Sequence, residues 1–520
     1  MIVLPPETLT PASVTRATTA CYYDQDGIRR TAAANVVRPL YVAGALRGVL
    51  VEPAATNLLF QCAAVDSGNG WSKGSAITRV GTTTGPAGDA LATVYSCTAP
   101  PTGGLYQGAK TLAAATTYTL SVCAKLISGP VPASGSLMTI DYDSNGVAGT
   151  LERAVRGFAG LDGTWREYTL TVTNVAAVAA AVASFLVDLP AGTQIALADA
   201  QLEVGGVRTS LVITAAAAAT RAADVLTSSG RDVLYSTAIE SAAAWVSGSN
   251  YALGASVARP NNRKYTALVA ITGSTTAPES DASRWEDVGA VNPLAMFDQG
   301  RNLQTLGPVG AKLRVAVYCA GRINSLFLAR LEASYATVVM YVGTVEVYRK
   351  DLTLTRRQTR SWSTYYFGTF SQLASVMLTD LPMLAGATIV LELDNGAYAA
   401  KCASMVISQR VELGDSEWGA SSDPLVFSVV TRDDFGNAKL VPRRMAPATS
   451  QTLQIPVSQI PVAAALRDRL NARPAVWAGM GDNTTGPWSE LFLIYGIYTR
   501  FKISAPNPKV GAVDLDLQEL

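Results

Sequence analysis

The chain has no histidine among its 520 residues. That absence excludes Ser–His–Asp and Cys–His catalysis, zinc sites built on imidazole, and the side chain that ordinarily changes charge near neutral pH. Paired carboxylates of the glycosidase type survive it. Charge is scarce as well. Only 16% of residues are charged, and 41 basic against 40 acidic side chains leave a formal net charge of +1. Nucleic-acid binding by counterion release needs a concentrated positive field, so no nucleic-acid partner is expected. Arg356, Arg357 and Arg360 make one local basic patch, read as a solvated strand end.

Six cysteines stand at 21, 62, 97, 123, 319 and 402, none in a CxxC pair. This spacing fits neither a metal or redox motif nor a small disulfide scaffold, so buried free thiols are expected. Long apolar runs are missing too. The most apolar stretch, Val175 to Val187, is rich in alanine and too short to cross a bilayer, so no membrane insertion is expected. The start, MIVLPPETLT, has neither a basic nor an apolar leader region, so no signal peptide is expected. Heptads and Gly-X-Y repeats are lacking, which argues against a long fibrous shaft. No nucleotide-binding glycine motif or nucleophile elbow occurs, and no cofactor is expected.

What remains is strand-forming sequence. The length predicts about three to five domains. In WREYTLTVT, Tyr168, Leu170 and Val172 share one face against polar neighbours, the period of a half-buried strand. Leu313, Val315 and Val317 repeat it, as do Ile389, Leu391 and Leu393. The run at 175–183 is read as a strand or loop, and the alanine-rich junction at 210–240 as partly helical. SQIPVAAALRDRLNARP holds the best helix, with Leu466 and Leu470 four apart, Pro461 near its start and Pro474 as its stop. The fold class is therefore mainly β: serial β-sandwich or jelly-roll modules with a C-terminal α+β domain. The expected divisions are a β-rich attachment segment at 1–60, a jelly roll at 61–225, a small aromatic-rich module at 226–300, a second β-sandwich at 301–420 and the α+β domain at 421–520.

Sugar rings present apolar faces on which tryptophan and tyrosine stack, while carboxylates and amides pair with the hydroxyls. Trp245, Tyr251, Tyr265 and Trp285, with Glu286, Asp287 and Asn292, have that chemistry. The same aromatics could equally fill the core of a small module. A second cluster holds Trp362, Tyr365, Tyr366, Phe367 and Phe370; strand alternation would place Tyr366 opposite Tyr365 and Phe367, so Trp362 and Tyr366 join the candidates. Trp477 and Trp488 flank a loop, MGDNTTGP, that could form a recognition tip. Asp141, Asp143 and Asn145 in TIDYDSNG resemble the opening of a calcium loop without its closing glutamate, and a polar turn explains them as well. No carboxylate pair stands out as general acid and base, so no enzyme is expected.

The segment TRATTACYYDQDGIRRTAAANVVRP, followed by RGVLVEPAATNLL, resembles a block found in many tail and fibre-like proteins of tailed bacteriophages. The matching positions run from Thr15 through Arg38 and from Arg47 through Leu59, with Cys21 where threonine is usual and Ala55 in place of arginine. Trp71, TYTLSVCAKL, Gly163 to Arg166, ADAQLEVG and the closing ATRAAD at 219–224 resemble the carbohydrate-binding-module-like jelly roll that usually follows that block. TSLVIT at 209–214 departs from it. WEDVGAVNPLAMFD, TDLP, VELG, DDFGN, RPAVW and YGIYTRFKI resemble a further phage tail family. The resemblance implies a virion protein of the tail tip or baseplate, made in the host cytoplasm and contacting other virion proteins. It also implies host surface polysaccharide as a ligand and, by analogy with other tail parts, a homotrimer. Two alternatives stay open: a purely architectural baseplate protein, and a polysaccharide-degrading enzyme with two carboxylates about 5 to 9.5 Å apart across a cleft.

Overall fold

In the computed structural model the described residues are 1–520 apart from 6, 89–91, 99–102, 148–149, 302, 358–360, 369, 433, 480–490 and 507. They form two compact units, one of Ser13–Thr227 and the other of Met1–Ala12 with Ser228–Leu520. The segment read from sequence as one piece, 1–60, is thus split after Ala12.

The Ser13–Thr227 unit is a sandwich of two five-stranded antiparallel sheets. One sheet runs Ile77–Thr83, Ala92–Cys97, Gln194–Val204, Thr116–Ser128 and Arg166–Asn174; the other runs Glu152–Arg156, Ser136–Tyr142, Val178–Val187, Leu105–Leu112 and Ser72–Lys73. Alternation decides which side of Thr116–Ser128 faces inward. Tyr118, Leu120, Val122 and Ala124 enter the core, while the hydroxyls of Thr117 and Thr119 meet those of Thr173 and Thr171 at 3.1 Å on the outer face. Each fully buried aliphatic or aromatic side chain here stabilises the sandwich by roughly 1.5–3 kcal/mol. The run at 175–183, read as a strand or loop, enters the strand Val178–Val187.

A buried ion cluster ties the first fifty residues of this unit to its last ten. Arg16 and Arg38 both donate to Asp224, Arg16 at 2.7 Å. Arg38 and Arg221 both reach Glu52, at 2.8 and 3.0 Å. The three arginines and Asp224 are buried. Arg16, Arg38 and Glu52 lie within residues 15–38 and 47–59, and Arg221 and Asp224 within ATRAAD at 219–224. These five residues therefore act as structural clasps. This also explains a departure from expectation: the 210–240 junction holds no helix but three strands, Ala219–Arg221, Val225–Thr227 and Arg231–Ser236. Delivering Arg221 and Asp224 to the cluster overrides the helical preference of alanine.

The other unit is layered. A six-stranded sheet, ordered Thr10–Pro11, Arg231–Ser236, Leu313–Cys319, Ala387–Asp394, Tyr335–Val342 and Val345–Thr353, packs on a three-stranded sheet of Ser375–Leu378, Ser325–Ala329 and Ser404–Ser408. Val315, Val317, Ile389 and Leu391 meet Leu326, Leu328, Met405 and Ile407 between them. Phe327, Ala329, Met377 and Val406, on the opposite face of the three-stranded sheet, pack on Ile2, Leu4, Val476 and Ala478. Buried on both faces, Ser325–Ala329 is apolar at nearly every position instead of alternating.

Ile2–Leu4 lies inside an eight-stranded antiparallel sheet, between Val411–Glu412 and Ala475–Ala478, followed by Leu493–Ser504, Val510–Glu519 and Ala448–Pro456. The first strand of the chain thus completes the C-terminal sheet. The expected helix is there as Ile460–Arg469, with Pro461 in its first turn and Ala463, Leu466 and Leu470 buried with Trp477 against this sheet. No described helix is long and apolar enough to cross a membrane.

Candidate functional site

The small module is a four-stranded sheet of Ala243–Ala244, Ser256–Ala258, Arg263–Ala267 and Trp285–Ala290. Trp285 is 2% exposed and Tyr265 is buried beside Val257 and Ile271. Tyr251 packs edge-on to Trp285, ring centroids 5.2 Å apart at 71°, and its hydroxyl is occupied by the backbone of Val246. The Arg259 guanidinium sits 4.6 Å from the Trp245 ring centre and is fixed by two hydrogen bonds to Glu279. With so few aliphatics to hand, the module uses its aromatics as its core. As a stacking platform this set is corrected: Trp285 and Tyr265 face inward and Trp245 is covered by Arg259.

Glu286 is exposed on the same strand as Trp285, while Asp287 is bound to Arg263. Burial raises the Asp287 carboxyl, but the hydrogen bonds from Arg263 and the Gly289 amide outweigh it and hold it below the usual carboxylate range. Asn292 spends both sides of its amide on backbone, donating to Ile239 and Leu306 and accepting from Leu306. Asp141 is paired with Arg153 through two hydrogen bonds. Asp143 accepts the backbone amides of Asn145 and Gly146, and Asn145 accepts that of Val147. The candidate calcium opening is built as a self-capped polar turn. Among the described residues, no group of three or more His, Cys, Asp or Glu side chains could hold a metal ion.

The second aromatic cluster is different. WSTYYF is not the strand expected from alternation but a short helix, Trp362–Phe367. It is carried by a two-strand ladder, Thr355–Arg357 with Phe370–Gln372. Helical spacing puts Trp362 and Tyr366 four residues apart on one side, where their rings lie nearly parallel, 18° apart with centroids at 6.3 Å. Tyr365 meets both edge-on. Such a short helix is not stable through its own hydrogen bonds, so these ring contacts help to hold it. Trp362 is 80% exposed, Tyr366 64% and Phe367 86%. Large aromatic side chains bared together on a soluble surface mark a contact site. Arg356 is exposed on the ladder; Arg360 lies outside the described residues, as do Trp488 and the expected loop tip.

The foot of the same ladder walls a cavity of about 360 Å³, whose lining includes Leu354, Arg356, Leu373, Met377, Lys350 and Asp380. Lys350 donates to the Asp380 carboxylate at 2.6 Å, and the Tyr348 hydroxyl donates to its other oxygen at 2.9 Å. Burial raises the Asp380 carboxyl, yet these two hydrogen bonds outweigh it and keep it below the normal range. The volume is within the roughly 300–1,000 Å³ usual for small-ligand pockets. Polar groups at its rim can pair with hydroxyls, while the nearby rings offer apolar faces. Sequence reasoning singled out Trp362 and Tyr366 but missed Lys350 and Asp380. Asp380 was visible only as part of TDLP.

Fold and sites together define a mainly-β protein of sandwich modules with a C-terminal α+β layer. No family model matches the chain, and no curated protein matches it. Among solved structures it is similar to the N-terminal tandem of CBM22 modules from Paenibacillus barcinonensis Xyn10C. That match has 8% identity and a TM-score of 0.22, and covers 68% of this chain and 96% of that one. It is also similar to the CBM22-1–GH10 modules of Clostridium thermocellum endo-1,4-β-D-xylanase 10B complexed with xylohexaose. Here the identity is 13% and the TM-score 0.20, over 30% of this chain and 29% of that one.

Proposed function

We propose that this protein is a structural component of a bacteriophage tail tip or baseplate that contributes to attachment to host surface glycans, without catalysing their breakdown. The observation that carries the glycan reading is the exposed Trp362–Tyr366 pair on a ladder whose foot walls a largely apolar cavity that also carries Lys350 and Asp380. A saccharide ring stacks an apolar face on such aromatics and turns its hydroxyls to groups such as Lys350 and Asp380. The virion reading is supported by the resemblance of the segments 15–38 and 47–59 to the block of phage tail and fibre-like proteins; Arg16, Arg38 and Glu52 of those segments belong to one buried ion cluster.

The test is co-sedimentation of the full chain with encapsulated bacteria and with the same cells stripped of capsule. Saturable binding lost with the polysaccharide supports the proposal. Equal binding to both cell types, or none, moves the protein to a purely architectural role. That second reading is favoured by the small module, whose aromatics are consumed by its core.

A further inference from the structure

The buried ion cluster of the Ser13–Thr227 unit does not balance. Three guanidiniums, on Arg16, Arg38 and Arg221, share two carboxylates, on Glu52 and Asp224, within ion-pair distance. Arg221 is 1% exposed, and its terminal nitrogens are occupied. Nη1 donates to the Ser210 hydroxyl at 2.6 Å and pairs with Glu52, while Nη2 donates to the Pro53 carbonyl at 2.7 Å. Its Nε–H is buried and has no acceptor among the described residues. A buried donor without an acceptor is costly, most of all on a charged group. Burial pulls the Arg221 guanidinium below its ordinary value, and the like charge of Arg38 adds to this. Glu52, Asp224 and Glu203, the last occupied by Thr209 and Gln201, offset it only in part.

Arg221 also walls a cleft of about 220 Å³. Cys21, Leu211 and Arg221 are buried at its floor, and Thr19, Thr31 and Thr220 are exposed at its mouth. Among the described residues its lining holds no carboxylate. A guanidinium under a rim of hydroxyls suits an oxyanion. The cleft is smaller than the roughly 300–1,000 Å³ of pockets for drug-sized ligands, so the anion is small. From the surplus of one positive charge, the orphaned Nε–H and the cleft beside it, we infer a binding site for a small monoanion of the carboxylate class. Arg221 receives it from below and the threonine hydroxyls from the rim.

Differential scanning calorimetry of the full chain at pH 7 and constant ionic strength, with sodium acetate replacing sodium chloride, tests this. Each tenfold of acetate above its dissociation constant is expected to raise the Tm of the Ser13–Thr227 unit by about 3–5 °C. Thr220→Glu, an exposed substitution that tethers a carboxylate at the mouth, is expected to melt above Thr220→Gln. It is also expected to lose the acetate response, which Thr220→Gln keeps. Sodium glucuronate separates two sources of the carboxylate. A response at lower concentration than acetate places it on a saccharide, and one at equal or higher concentration makes it a free acid. A Tm that acetate leaves unmoved overturns the inference, as does a rise that Thr220→Glu shows in full, which is a bulk salt effect.

Discussion

Replacing Asp224 by alanine probes what holds the Ser13–Thr227 unit together. Its carboxylate accepts hydrogen bonds from Arg16 at 2.7 Å, from Arg38, and from the Glu52 backbone amide at 3.0 Å. Arg16, Arg38 and Asp224 have no side-chain exposure. Removal leaves Glu52 alone among three buried guanidiniums. Breaking a buried pair from one side costs about 3–5 kcal/mol, because the orphaned charge cannot return to water. For a unit of this size, each kcal/mol lowers Tm by about 2–4 °C, so a fall of roughly 6–20 °C is expected. Differential scanning calorimetry of the full chain reads the transition, and hydrogen exchange assigns it to the sandwich strands. Asp162→Ala, which removes the solvent-exposed partner of Arg166, is the control and should leave Tm within error. The pH dependence has a defined sign. Burial raises the Asp224 carboxyl, but the hydrogen bonds from Arg16, Glu52 and Arg38 outweigh it and place it below its unfolded value. Its contribution is therefore complete above about pH 4 and lost as pH falls through the lowered native value. The gap between the parent chain and Asp224→Ala should be constant from about pH 5 to 8 and narrow in acid. A Tm change under about 2 °C at neutral pH, or a gap that widens in acid, would refute the reasoning.

Three further predictions follow from burial. Trp285→Ala should destabilise the small module by about 3–5 kcal/mol in urea unfolding, whereas exposed Trp362→Ala should stay within about 0.5 kcal/mol of the parent. All six cysteines are buried, with burial pushing Cys402 up to about 12 and Cys123 and Cys319 to about 11, so a thiol reagent at pH 8 should label none until the chain is denatured. Gly496→Ala should disrupt the C-terminal sheet, since a Cβ there would sit 1.9 Å from the Gln518 carbonyl oxygen, and Gly496 also accepts the Trp477 indole hydrogen bond; loss of amide protection in Leu493–Ser504 would register it.

The strands were legible where one face meets a core and the other meets water, as in Arg166–Asn174 and Leu313–Cys319. The helix at 460–469 was legible because its leucine spacing, early proline and stop signal agree. Ile2–Leu4 was not legible as a C-terminal strand, because its partners Val411 and Trp477 lie hundreds of residues away and local pattern carries no record of them. The 210–240 helix failed for a related reason: the distant demand for Arg221 and Asp224 outweighs the preference of alanine. At the candidate site, sequence supplied the right aromatic residues at 362 and 366 with the wrong backbone. Aromatics are enriched in strands, and only the four-residue spacing of Trp362 and Tyr366 hinted at a helix. Alternation could not decide whether Trp285 or Trp362 was buried. That depends on how many aliphatics each module has to spare, and the small module has few.

Equilibrium titration of the full chain with a purified capsular polysaccharide, followed by tryptophan fluorescence, tests the central claim most directly when the parent is compared with Trp362→Ala and Tyr366→Ala. Saturable binding by the parent is expected, with a loss of roughly five- to tenfold in affinity for each variant, corresponding to about 1–1.4 kcal/mol per stacked ring, and with unfolding midpoints unchanged. Binding by the parent that both variants retain in full would contradict it.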